Sequence, residues 1–116
     1  MNKKIGTHVI ADIDLEDSEI LVDRPFMTAI LLNALEAESF EIIAVSGHDF
    51  PGGGFTTVVL LAESHASIHT YPEMSYLAFD LFSCGSKDPS RVLAHILSEM
   101  NPRDVRKTIF TRQTKD

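Results

Sequence analysis

From Gly6 to Asp14 the chain alternates, with His8, Ile10 and Asp12 facing one way and Val9, Ala11 and Ile13 the other, which predicts a strand with one apolar face. Residues 14–19 form a polar connection. Asp23 and Pro25 have the chemistry of a helix start, and Phe26, Met27, Ile30, Leu31, Ala34 and Leu35 repeat at helical spacing, so a first helix is expected over about residues 24–38. Residues 41–50 and 55–63 read as two strands joined by the Pro51–Gly54 turn. His65–Tyr71 extends as a strand until Pro72, and residues 75–84 as another, with Tyr76, Ala78, Asp80 and Phe82 opposite Leu77, Phe79 and Leu81. Asp88-Pro89 then opens a second helix that buries Val92, Leu93, Ile96, Leu97 and Met100; Asn101-Pro102 ends it. A last strand over about residues 104–110 and a polar tail follow. This order predicts an α+β fold, a two-layer sandwich of a mostly antiparallel sheet with two helices on one face. The other face is left to be solvated or paired with a second subunit.

A chain of 116 residues with 44% hydrophobic residues builds one core, so a single domain over residues 1–116 is expected. The one cysteine, Cys84, excludes an intrachain disulfide framework and a zinc site of several cysteines. With no apolar run long enough for a signal peptide or a bilayer span, a cytoplasmic protein is expected, without membrane attachment. The net charge of −7 and the scattered lysines and arginines argue against a nucleic-acid partner. The same charge is compatible with a small cationic substrate.

The candidate chemistry is concentrated in ESHASIHTYPE, residues 63–73, and in the downstream FSCG that holds Cys84. A serine hydroxyl can attack the carbonyl that precedes it, turning the Glu63–Ser64 amide into an ester. Loss of the serine α-proton then expels Glu63 as a carboxylate, and hydrolysis of the dehydroalanine leaves a pyruvoyl group at position 64. Taken singly, Ser64 is ordinary polar surface and Cys84 an inert strand residue. His65 and His69 do not make a metal pair, because strand residues four apart lie about 13 Å apart; no metal is expected. His8, His48 and His95 read as hydrogen-bonded or exposed side chains.

ESHASIHTYPE with FSCG closely resembles the processing and active-site region of the short prokaryotic S-adenosylmethionine decarboxylase proenzymes, whose usual form is ESHxxIHTWPE followed by a cysteine motif such as TCG. The likeness extends more weakly through GTHVIADI, the first helix, GHDF and the final helix. It implies self-cleavage into 1–63 and 64–116, a pyruvoyl cofactor generated from Ser64 with no separate cofactor, and a homodimer of processed protomers whose pockets draw on both subunits. It also implies roles: Ser64 as cofactor precursor, His69 in the proton transfers of processing, and Cys84 as the acid that protonates the substrate carbon after decarboxylation. Imidazoles titrate near neutrality and a free thiol holds its proton there, so both assignments are chemically sound. A pyruvoyl ketone serves as an electron sink for amino-acid decarboxylation, as pyridoxal phosphate does.

Three positions depart from the pattern. Where the family commonly has a processing serine this chain has PGGGFTTVV, so Thr56 is the closest match, with Phe55 and Thr57 open under another gap placement. Tyr71 stands where tryptophan is usual, and the common HRF is His48-Asp49-Phe50. Phe50 and Glu73 match the residues expected to hold an adenine ring with its sulfonium and the ribose hydroxyls. Asp49 brings a carboxylate suited to an ammonium or guanidinium substrate, or is a solvated loop charge. The expected activity is pyruvoyl-dependent decarboxylation of S-adenosylmethionine for polyamine, notably spermidine, synthesis. The alternatives are the same chemistry on L-arginine or L-ornithine, and a non-catalytic binding homologue.

Overall fold

The computed structural model describes residues 1–115. Six strands, β1 (Lys4–Asp14), β2 (Ile42–Asp49), β3 (Phe55–Leu61), β4 (His65–Tyr71), β5 (Tyr76–Cys84) and β6 (Asp104–Gln113), form one sheet in the order β2-β3-β4-β5-β1-β6. Every neighbouring pair is antiparallel. Two helices, α1 (Arg24–Ala37) and α2 (Pro89–Ser98), cover one face, giving the expected two-layer α+β sandwich.

Both helix starts follow from local chemistry. The Asp23 carboxylate accepts the Phe26 N–H at 3.1 Å and Asp88 accepts the Ser90 N–H at 2.9 Å, each with a proline in the first turn. These bonds satisfy donors that a helix N-terminus leaves unpaired. The alternation of the strands then fixes the core: Val9, Ala11 and Ile13 of β1, Phe55 and Val59 of β3, Ala66 and Ile68 of β4, and Leu77, Phe79 and Leu81 of β5 are buried against Leu31, Leu35, Val92 and Ile96. Burial of each of the larger side chains contributes about 1.5–3 kcal/mol.

Four local readings change. Phe26, expected in the helical core stripe, is 46% exposed at the rim of α1. Leu15, within the expected polar connection, is buried, and Ile20–Val22 just after it makes a short 3-10 turn that buries Leu21. Leu97 and Met100 are only partly buried. The expected polar tail is strand as far as Gln113, where β6 pairs with Lys4 of β1. An edge strand exposed on both sides needs no apolar alternation, so periodicity could not mark its end.

The face away from the helices is open. Ile10, Val58, Leu60 and Phe110 are exposed on it, with 38% to 52% of their surface accessible. It also carries His8, Thr56, His65, Ser67, His69, Ala78, Asp80 and Phe82, which register places opposite the core-facing set.

Candidate active site

β3 and β4 form a tight hairpin. Leu60 pairs with His65, and the Leu61 N–H donates to the Ser64 carbonyl at 2.9 Å, leaving Ala62 and Glu63 as the turn. The Glu63–Ser64 bond therefore sits at the hairpin tip, with Glu63 exposed and Ser64 half-buried. The β4–β5 register pairs His65 with Phe82, and its continuation brings Ser64 and Glu63 alongside Ser83 and Cys84. Glu63, Ser64 and half-buried Cys84 line one cleft of about 320 Å³ with Phe40, Glu41 and Lys87. A backbone carbonyl, an adjacent hydroxyl and a thiol thus share one end of the sheet. That juxtaposition fits the precursor of a backbone-derived pyruvoyl with an acid beside it.

His69 lies elsewhere. It projects from the open face of β4, and its Nδ1 is 2.9 Å from the Thr56 hydroxyl across the β3–β4 ladder. Phe55 and Thr57 face the core, fully buried, and Thr57 bonds Thr28 there at 2.9 Å. Of the three residues open to the processing position, Thr56 alone meets His69. Along an extended strand, five residues put His69 about 16 Å from Ser64, far beyond hydrogen-bond reach in the same chain.

The candidate substrate residues gather at the His69 end. Phe50, Tyr71 and Glu73 line a cleft of about 660 Å³ with Gly52, Gly54 and Thr70. Gly54 makes this approach feasible, since a Cβ there would lie 2.6 Å from the Thr70 carbonyl oxygen. His48 stands edge-on to Phe50 with ring centroids 5.2 Å apart. Asp49 does not line the cleft. Its carboxylate is held by Arg24 of α1, Nε–Oδ1 2.8 Å and Nη2–Oδ2 3.3 Å, and that hydrogen bond keeps its carboxyl below the ordinary carboxylate range. The guanidinium that Asp49 binds is one of the chain's own.

Two polar clusters on the open face are not evident from the linear sequence. Asp80 on β5 accepts from His8 Nε2 at 2.7 Å, from His65 Nε2 at 3.2 Å and from the Ser67 hydroxyl. Burial alone would raise its carboxyl, but the bonds from Ser67 and His8 and the two imidazoles hold it below its ordinary value. The His8, His65 and Asp80 ligand atoms lie within 4.8 Å of one another, a spacing that could hold a metal ion. However, Arg112 donates to His8 Nδ1 at 3.2 Å, which assigns the ring proton to Nε2, aimed at the carboxylate. Hydrogen bonding accounts for the cluster.

At the other end, the Tyr76 hydroxyl donates to Asp12. Burial, then this bond and the Asp12 charge, push the phenol up to about 12. The folded state therefore keeps a proton that the unfolded chain releases near pH 10, so this stabilisation is present below pH 10 and lost as pH rises toward 12. Phenolate absorbance of a Tyr71→Phe protein should show Tyr76 ionising well above pH 10. Ionisation at the ordinary tyrosine value would contradict the geometry.

Fold and site together define a small α+β sandwich with a Glu-Ser bond at a hairpin tip beside a free thiol. A model of the S-adenosylmethionine decarboxylase family matches residues 7–113. The chain is 42% identical over 83 residues to an S-adenosylmethionine decarboxylase proenzyme of Methanococcus maripaludis, covering 72% of this chain and 68% of that one. It is 36% identical over 101 residues to S-adenosylmethionine decarboxylase proenzyme 2 of Bacillus anthracis, covering 86% and 82%. Among solved structures, the adenosylmethionine decarboxylase of Aquifex aeolicus VF5 superposes with a TM-score of 0.84 at 31% identity, over 98% of this chain and 95% of that one. The chain belongs to the S-adenosylmethionine decarboxylase family of enzymes.

Proposed function

We propose that the chain cuts itself between Glu63 and Ser64 and then decarboxylates S-adenosylmethionine as a pyruvoyl enzyme, supplying polyamine synthesis in the cytoplasm. The observation that carries this reading is the placement of the Glu63–Ser64 bond at an exposed hairpin tip in the same cleft as Cys84. In the cut, the Ser64 hydroxyl attacks the Glu63 carbonyl and displaces the amide nitrogen, and loss of the Ser64 α-proton then expels Glu63 as a carboxylate, leaving a dehydroalanine. Water replaces the freed nitrogen as ammonia. The pyruvoyl group supplies a Schiff-base electron sink for the departing carboxylate. Cys84, beside position 64, delivers a proton to the substrate carbon.

The partner is a second copy of this chain. Because His69 lies about 16 Å from Ser64 along β4, a single chain does not bring its own His69 to the hairpin tip. Two copies stacked open face to open face, with their β4 strands antiparallel, bring the partner's His69 over Ser64 and the partner's Phe50 cleft toward Cys84. The exposed Ile10, Val58, Leu60 and Phe110 supply apolar area for that contact. Co-expression of His69→Ala and Ser64→Ala chains tests it. The mixed dimer regains one complete site, so the His69→Ala chain is cut only when its partner is present; no cutting in isolated mixed dimers would refute the shared site.

Thr56 orients the His69 ring in this scheme. Thr56→Val, which keeps the shape and removes the hydroxyl, is expected to slow cleavage by about 10- to 100-fold, with Thr56→Ser close to wild type in a time course of fragment appearance. An unchanged rate in Thr56→Val would remove the role.

The pairing of Asp49 with Arg24 favours S-adenosylmethionine over arginine or ornithine, since no free carboxylate is left there for a guanidinium. Carbon dioxide release from the three compounds tests the choice. Release from arginine or ornithine, with none from S-adenosylmethionine, would overturn it.

A further inference from the structure

We propose that Asp80 is a positioning residue that pins the new chain end, the one carrying the prosthetic group, after the Glu63–Ser64 bond is cut. The proposal rests on the self-cleavage reading above and adds a requirement to it. Cutting turns an interior hairpin position into a terminus, and chain ends fray unless side chains or ladder pairing tie them down. The catalytic carbonyl would then sit on the first residue of a free end.

The contacts of Asp80 meet that need. Two of its three donors, His65 and Ser67, are the second and fourth residues of the chain that begins at position 64. The third, His8, comes from β1, in the chain that ends at Glu63. Asp80 itself lies on β5, so one carboxylate joins the new end, the strand beside it and the other product chain. Ala66, between the two donors, is fully buried on the helix side, so the segment is held on both faces. A carboxylate suits the position because it is charged and acceptor-only, whereas an asparagine would offer the two histidines one neutral oxygen and turn its NH₂ toward Ser67, whose hydroxyl would then have to accept. The Arg112 bond to His8 Nδ1 keeps the Nε2–H directed at Asp80.

Amide hydrogen exchange of Asp80→Asn, read in the cut protein and in an uncut Ser64→Ala background, tests the pin. In the cut protein, exchange at residues 65–67 is expected to rise about tenfold or more. In the uncut chain the covalent hairpin still holds the segment, and exchange stays within about twofold of its parent. The turnover number is expected to fall with KM nearly unchanged, since the displaced carbonyl reacts poorly with substrate already bound. His65→Phe removes one of the chain end's two bonds to Asp80 and should reproduce both effects in weaker form, which keeps the test valid if Asp80→Asn folds poorly. Unchanged exchange in the cut protein, or an equal rise in cut and uncut chains, overturns the pin and leaves self-cleavage intact. A wild-type chain that is never cut removes both.

Discussion

Replacing Ser64 by alanine should leave a single uncut chain of about 12.9 kDa and no decarboxylation at all. Alanine offers no oxygen to accept the Glu63 acyl group, and no β-leaving group whose loss could make a dehydroalanine. The fold should survive the change, because Ser64 contributes its backbone carbonyl, and no side-chain hydrogen bond, to closing the hairpin. Circular dichroism and the oligomeric state should therefore match those of unprocessed wild type. Fragments from a folded Ser64→Ala protein would show that cutting is hydrolytic or due to contaminating protease, and the reading would fail.

Cys84→Ala should separate the two reactions. The thiol is not needed for the acyl shift at Ser64, so the chain should still cut, within a few-fold of the normal rate. Decarboxylation should drop by about 10²- to 10⁴-fold, the usual contribution of a positioned acid. The loss should appear in the turnover number more than in KM, because the proton is delivered after the substrate is bound. Wild-type turnover in Cys84→Ala would remove the thiol as donor and leave water or another group in the cleft to act. Cys84→Ser, which keeps a hydrogen-bond donor of far weaker acidity, should also fall well below wild type.

How much of this was legible in the sequence depends on how local each feature is. The faces of β1 and β5 follow from strict alternation, and the capped starts of α1 and α2 from Asp23-Arg24-Pro25 and Asp88-Pro89. The end of β6 was not legible, because Thr111–Gln113 pair at an exposed edge that imposes no apolar pattern. Thr56 could not be separated from Phe55 and Thr57 without the β3–β4 register, which alone shows which of them meets His69. The Asp80 cluster was hidden for the same reason. His8 and His65 flank Phe82 from opposite neighbouring strands, and that non-local pairing converts two unremarkable histidines into partners of one carboxylate. A hint was present, since both histidines and Asp80 occupy the polar phase of their strands.

The separation of Ser64 from His69 is the other lesson of register. ESHASIHTYPE places the proposed nucleophile, Ser64, and the proposed base, His69, five residues apart, which looks like proximity in a sequence. In a strand it is about 16 Å. Under the proposed function, compactness of the motif along the chain therefore favours a site shared by two chains. Asp49 illustrates the converse, since its apparent vacancy for a cation is filled by Arg24, twenty-five residues away.

Conversion of Ser64 into the prosthetic group is read from the intact mass of the freshly purified protein. Two chains are expected, residues 1–63 and residues 64–116, with the second lighter by the elements of ammonia than the same chain beginning with an intact serine. A chain that stays whole on prolonged incubation, or a second fragment that begins with a free serine, would contradict it.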